Sequence, residues 1–105
     1  MNVLSVQSHV AYGYVGNRAA AFPLQRLGFD VWAVNTVQFS NHTGYGSWTG
    51  DVFTADHVRK VIDGIFERSP PSTCDAVLSG YLGDAELGEA ILEAVSRIRA
   101  ARPDA

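Results

Sequence analysis

Three observations predict a layered α/β fold with a mostly parallel sheet. Short β-branched or aromatic segments alternate along the chain with longer segments of helical periodicity. The helical segments carry capping signals at their ends. The composition, 47% hydrophobic and 18% charged residues, is that of a globular domain and argues against disorder.

The first segment, residues 3–6, reads Val-Leu-Ser-Val and predicts a strand. A turn-rich stretch follows over residues 7–17. Helical spacing of Ala20, Ala21, Leu24 and Leu27 predicts a helix over residues 17–27. Pro23 lies inside it and removes the N–H that would bond the carbonyl of Ala19, so a kink or local break is expected. Gly28 is a C-cap signal.

Residues 29–39, with Val31, Trp32, Val34, Val37 and Phe39, predict the second strand. The next loop, residues 40–51, holds Gly44, Gly46 and Gly50, which suit turns or a flexible flap. Trp48 in this loop suits a flap anchor or a partner contact, whereas Trp32 suits the core. Thr54 is an N-cap and Asp56 favours a first helical turn. Val58, Val61, Ile62, Ile65 and Phe66 form one apolar helical face. Ser69-Pro70-Pro71-Ser72 ends that helix.

Residues 76–78, Ala-Val-Leu, predict a third strand. Asp84 caps a third helix, with Glu86 and Glu89 near its positive end and Arg97, Arg99 and Arg102 near its negative end. Leu87, Ile91, Val95 and Ile98 line its apolar face, and Pro103 stops it. The expected order is β-α-β-flap-α-β-α. Three strands make a narrow sheet, and a parallel sheet needs cover on both faces. The chain therefore reads as the first part of a larger α/β domain.

At 105 residues the chain holds at most one small domain, able to bury roughly 65% of its unfolded surface. The net charge is −3 and the basic residues are scattered, so nucleic acid is not an expected partner. No apolar run approaches the roughly 20 residues needed to span a bilayer, and residues 1–5 lack the basic region of a secretory signal. Cys74 is the only cysteine. It has no internal disulfide partner, which fits a reducing, cytoplasmic compartment, and it suits a small buried hydrophobe. The only lysine, Lys60, lacks the preceding glycines of a phosphate-binding P-loop.

In parallel α/β sheets, ligands bind beyond the carboxyl ends of the strands. The loops over residues 8–17, 40–51 and 79–83 leave such ends. Each is rich in glycine, hydroxyls or aromatic rings, and together they predict a site for a polar small molecule. Ser8 and His9 are adjacent and point apart, so they make a poor nucleophile–base pair. Ser8 suits a hydroxyl contact to a ligand or a bond within its own turn. The run Gly13-Tyr14-Val15-Gly16-Asn17 before a helix is turn chemistry rather than a dinucleotide fingerprint. His9, His42 and His57 have no metal-ligand spacing. His57, in a first helical turn, is expected in solvent. His42, between Asn41 and Thr43, is better placed for a ligand. The ring of Tyr81 suits packing on a flat molecule.

Five blocks carry a more specific signal: Val6-Gln7-Ser8-His9-Val10; Gly13 to Ala20; Phe22-Pro23-Leu24-Gln25; Val37-Gln38-Phe39-Ser40-Asn41-His42-Thr43-Gly44-Tyr45; and Leu78-Ser79-Gly80-Tyr81-Leu82-Gly83. In order and without large gaps, they resemble the N-terminal part of the pyridoxal kinase family. The resemblance implies a three-layer, ribokinase-like (Rossmann-like) fold with a mostly parallel sheet. Residues 1–105 would be the N-terminal part of one such domain, its first β-α-β-α-β-α portion. It implies ATP-dependent phosphorylation of the 5′-hydroxyl of pyridoxal in vitamin B6 salvage, by a cytoplasmic homodimer using Mg²⁺. Ser8 would bond the polar edge of the pyridine ring. Thr43 and Gly44 would contact the substrate from the flap with His42 beside them, and Tyr81 would pack near the ring.

The family's Gly-Xaa-Gly-Asp motif, which supplies the catalytic base, does not occur in these residues. The segment Gly80-Tyr81-Leu82-Gly83-Asp84 has the wrong spacing. The groups that bind ATP and Mg²⁺ are likewise expected outside them. Phosphoryl transfer depends on groups positioned around the phosphates, so the 105-residue chain alone is expected to release no ADP from ATP and pyridoxal. The alternative is a non-catalytic vitamer-binding or interaction fragment of flavodoxin-like α/β type.

Overall fold

In the computed structural model, which describes residues 1–105, the elements run β1 (Asn2–Val10), α1 (Asn17–Arg26), β2 (Asp30–Phe39), β3 (Gly50–Val52), α2 (Ala55–Arg68), β4 (Ala76–Ser79) and α3 (Ala85–Ala101). The sheet order is β3-β2-β1-β4. β1 lies at its centre, parallel to both β2 and β4. The strand rich in Val and Leu thus takes the position with neighbours on both edges.

Alternation along β1 sends its side chains to opposite faces. Leu4 and Val6 join Val34, Val58, Ile62, Phe66, Leu87, Ile91 and Ile98 in one apolar core under α2 and α3. Ser5 faces the other way and bonds to Asn17 at the start of α1. Three layers result: α1, the sheet, and the α2–α3 pair. Trp32 is partly buried against the main core.

The capping signals act as expected. Thr54 Oγ1 accepts from the N–H of His57, and an Asp84 carboxylate oxygen accepts from Glu86. At the end of α1, Gly28 has φ +94°. Its N–H donates to the carbonyl of Gln25 and that of Phe29 to Leu24, the paired bonds of a Schellman motif.

Three expectations need correction. β1 continues through Gln7, Ser8 and His9 to Val10, where a turn was predicted. Those polar residues hide the strand from a hydrophobicity pattern, but their backbone still pairs with β2. The 40–51 loop contains a fourth strand, β3, antiparallel to β2. β3 is three exposed residues on the sheet edge, so no apolar alternation marks it. α1 is unbroken across Pro23. The carbonyl that loses its partner belongs to exposed Ala19, open to water. In α3 the expected face of Leu87, Ile91, Val95 and Ile98 packs on the main core, with Ala90 and Ala94 buried beside it.

Candidate functional site

The strand ends at the carboxyl edge of the sheet build the site. Opposite Ser8 the β1–β2 register slips. Gln7 pairs with Asn35 and His9 with Gln38, so Thr36 and Val37 both face Ser8. This β-bulge bends the strand where the loops leave it. After β1 the chain turns back so closely that His9 bridges to Gly16. Gly16 has φ +58°, and a Cβ there would lie 2.1 Å from the carbonyl oxygen of Ser8. Only glycine tolerates both the backbone angle and that approach.

A buried polar network fixes this turn. The Ser5 hydroxyl donates to Asn17 Oδ1 at 2.7 Å, and Gln7 Nε2 donates to Ser5 Oγ at 3.0 Å. Asn17 Nδ2 donates to the carbonyl of Val34 at 3.0 Å and to Asn35 Oδ1 at 2.9 Å. The first residue of α1 is thereby tied to both β1 and β2.

The 40–49 segment is ordered by its own bonds, so its glycines serve turns rather than a loose flap. Ser40 N–H donates to the carbonyl of Thr49, and Asn41 Nδ2 to that of Ser47. Trp48 packs on Phe39 with ring centroids 6.1 Å apart, the flap-anchor arrangement. Tyr12 meets Tyr45 edge-on at 6.3 Å and joins the first loop to this one. The N–H of Gly44 donates to His42 Nδ1 at 3.0 Å, which leaves Nε2 as the donor nitrogen of that ring.

Ser8, His42, Thr43 and Tyr81 come together around one cleft of about 240 Å³. Gly44 is not part of its wall and lies against the His42 ring. Sequence reasoning missed Gln7, Val10, Val15 and Phe39, which complete the wall with Gly16. Three of the four are strand residues, legible only once β1 and β2 are known to reach the cleft. Ser8 and His9 do point apart. Ser8 lines this cleft, while His9 lines a groove of about 650 Å³ along α1. His57 stacks on Phe53 at 4.4 Å and remains exposed.

The wall combines hydroxyls from Ser8, Thr43 and Tyr81, the Gln7 amide and the His42 imidazole with apolar Val10, Val15 and Phe39. Drug-sized ligands occupy roughly 300–1,000 Å³, so this cleft matches a single substituted ring. No carboxylate lines it. No group of three or more His, Cys, Asp or Glu in the chain could hold a metal ion.

The groups whose protonation the fold shifts lie elsewhere. Burial pushes the Cys74 thiol up, which makes it a poor nucleophile. The N–H of Asn2, followed by the charge of Arg102, holds the Asp75 carboxyl down. Both sit at the opposite end of the strands from the cleft. On the exposed α2–α3 surface, Arg59 bonds Glu93 through two nitrogens and holds its carboxyl down.

No protein-family model matches the chain. It is 64% identical over all 105 residues to the pyridoxal kinase PdxY of Rubrobacter xylanophilus, covering 36% of that protein. It is 61% identical over the same span to the pyridoxal kinase PdxY of Granulibacter bethesdensis, covering 37%. The pyridoxal kinase of Leishmania donovani, solved with ADP and pyridoxamine, superimposes with a TM-score of 0.90 at 42% identity, over 97% of this chain and 36% of that one. The chain thus spans about a third of the length of the relatives it matches. By sequence and by fold, it is pyridoxal kinase-like along its whole length and corresponds to the N-terminal, ribokinase-like part of those proteins.

Proposed function

We propose that these residues form the vitamer-binding side of a pyridoxal kinase. In that reaction the 5′-hydroxyl oxygen of pyridoxal bonds to the γ-phosphorus of ATP. The bond from that phosphorus to the bridging oxygen breaks, ADP leaves, and the hydroxyl proton is released. The observation that carries the reading is the convergence of Ser8, His42, Thr43 and Tyr81, from three separate sequence blocks, on one ring-sized cleft. The L. donovani relative, solved with ADP and pyridoxamine, supports both ligand classes.

Ser8 bonds the polar edge of the ring, Thr43 bounds it from the 40–49 segment with His42 beside it, and Tyr81 packs near its face; Gly44 acts behind them, its N–H holding the His42 ring. No residue of the chain is assigned a catalytic role. ATP and Mg²⁺ are held by groups outside these residues, in a homodimer. No helix is long and apolar enough to cross a membrane. The lone, buried Cys74 supports a reducing, cytoplasmic setting.

Calorimetric titration of the protein with pyridoxal, pyridoxine and pyridoxamine tests the reading. Saturable binding of one vitamer per chain is expected. Absence of heat with all three at millimolar concentration overturns it.

A further inference from the structure

The 80–83 segment crosses the end of β1 to reach β2, and the contact it makes there is specific. The side chain of Thr36, wholly buried, donates through Oγ1 to the carbonyl of Tyr81 at 3.0 Å. Thr36 is one of the two residues of the bulge opposite Ser8. The other, Val37, approaches the same segment, its Cγ1 lying 3.5 Å from where a side chain on Gly83 would begin. The Tyr81 ring lies 3.7 Å from that same point. The bulge therefore turns Thr36 and Val37 toward the 80–83 segment. Upstream, the N–H of Gly80 donates to the carbonyl of Val6 at 3.2 Å. The backbone on which the Tyr81 ring stands is thus tied to β1 before it and to β2 at Tyr81 itself.

The ring needs that tether. Tyr81 is 62% exposed, so apolar burial does little to hold it over the cleft it lines. A hydrogen bond from a hydroxyl with no access to water is directional and is not exchanged for solvent. We propose that Thr36 is a positioning residue for Tyr81: its hydroxyl fixes the Tyr81 backbone, holds the ring at the cleft, and thereby sets the affinity for a flat ring ligand. The proposal rests on the vitamer-binding reading above and adds a residue that does not touch the ligand.

The test measures pyridoxal dissociation constants for the unaltered protein, Thr36→Val, Thr36→Ala and Thr36→Ser, each also combined with Tyr81→Ala. Loss of the hydroxyl in the Val and Ala variants weakens binding roughly fivefold, the scale of one neutral hydrogen bond. Thr36→Ser keeps the hydroxyl and binds within about twofold of the unaltered protein. In the Tyr81→Ala background the four residues at position 36 give one dissociation constant, because the ring they would position is gone. Should the Val variant fail to fold, the Ala–Ser pair makes the same comparison. The proposal falls if the hydroxyl-free variants bind like the unaltered protein, if Ser fails to restore binding, or if the loss persists in the Tyr81→Ala background. Those results leave vitamer binding standing, whereas absence of pyridoxal binding by the unaltered protein removes both.

Discussion

The two faces of the sheet are held by different physics. Under α2 and α3, Leu4, Val6, Val34, Val58, Leu87 and Ile98 are almost wholly removed from water, and non-directional apolar burial supplies the adhesion. Under α1 the only buried helix residue is Asn17. Phe22 and Leu27 of that region are 66% and 75% exposed, and a groove of about 650 Å³ runs beside the helix. What binds α1 to the strands is the Ser5–Asn17–Asn35 network. One face therefore carries stability, and the other fixes the position of a single turn, Val15–Gly16, at the wall of the cleft.

The contrast predicts how each face breaks. On the closed face, Leu87→Ala leaves a cavity in the main core and lowers unfolding free energy by about 3 kcal/mol in urea titrations. On the open face, Asn17→Ala strands the buried Ser5 hydroxyl and the carbonyl of Val34. It costs about 2 kcal/mol and weakens pyridoxal binding as well. Leu87→Ala lowers stability but, in protein that remains folded, leaves the pyridoxal dissociation constant unchanged. The two losses add in the double variant, because the side chains removed lie on opposite faces of the sheet. A non-additive result would mean that the faces are not independent.

A smaller effect depends on pH. The Asp75 carboxyl is held below its ordinary range by the N–H of Asn2 and by Arg102. A carboxyl whose pKa is depressed by folding contributes stability above its unfolded pKa and loses it as pH falls through the folded value. Thermal midpoints measured from pH 5 downward should therefore fall less steeply in Asp75→Asn than in the unaltered protein. Equal slopes would remove Asp75 from the account.

The same contrast explains what could be read from the residues alone. The helices under the closed face were legible because Val58, Ile62 and Phe66, and Leu87, Ile91 and Ile98, repeat at helical spacing and end in caps. The site residues Ser8, His42, Thr43 and Tyr81 were legible because they sit in distinctive blocks, although Ser8 proved to lie inside β1 and not after it. The extension of β1 through Gln7 to Val10 was not, since polar residues in a paired strand carry no apolar period. Neither was β3, whose three residues are all exposed. The bond from Thr36 to Tyr81 joins residues 45 apart. It depends on a bulge that local propensity does not encode.

The central claim is that Ser8 and Tyr81 line one cleft that takes a vitamer ring. A calorimetric titration of pyridoxal into the Ser8→Ala/Tyr81→Ala protein addresses it most directly. Loss of one hydroxyl contact and one ring face should weaken binding at least about tenfold, with the far-ultraviolet circular dichroism spectrum unchanged. Pyridoxal affinity equal to that of the unaltered protein would contradict the account.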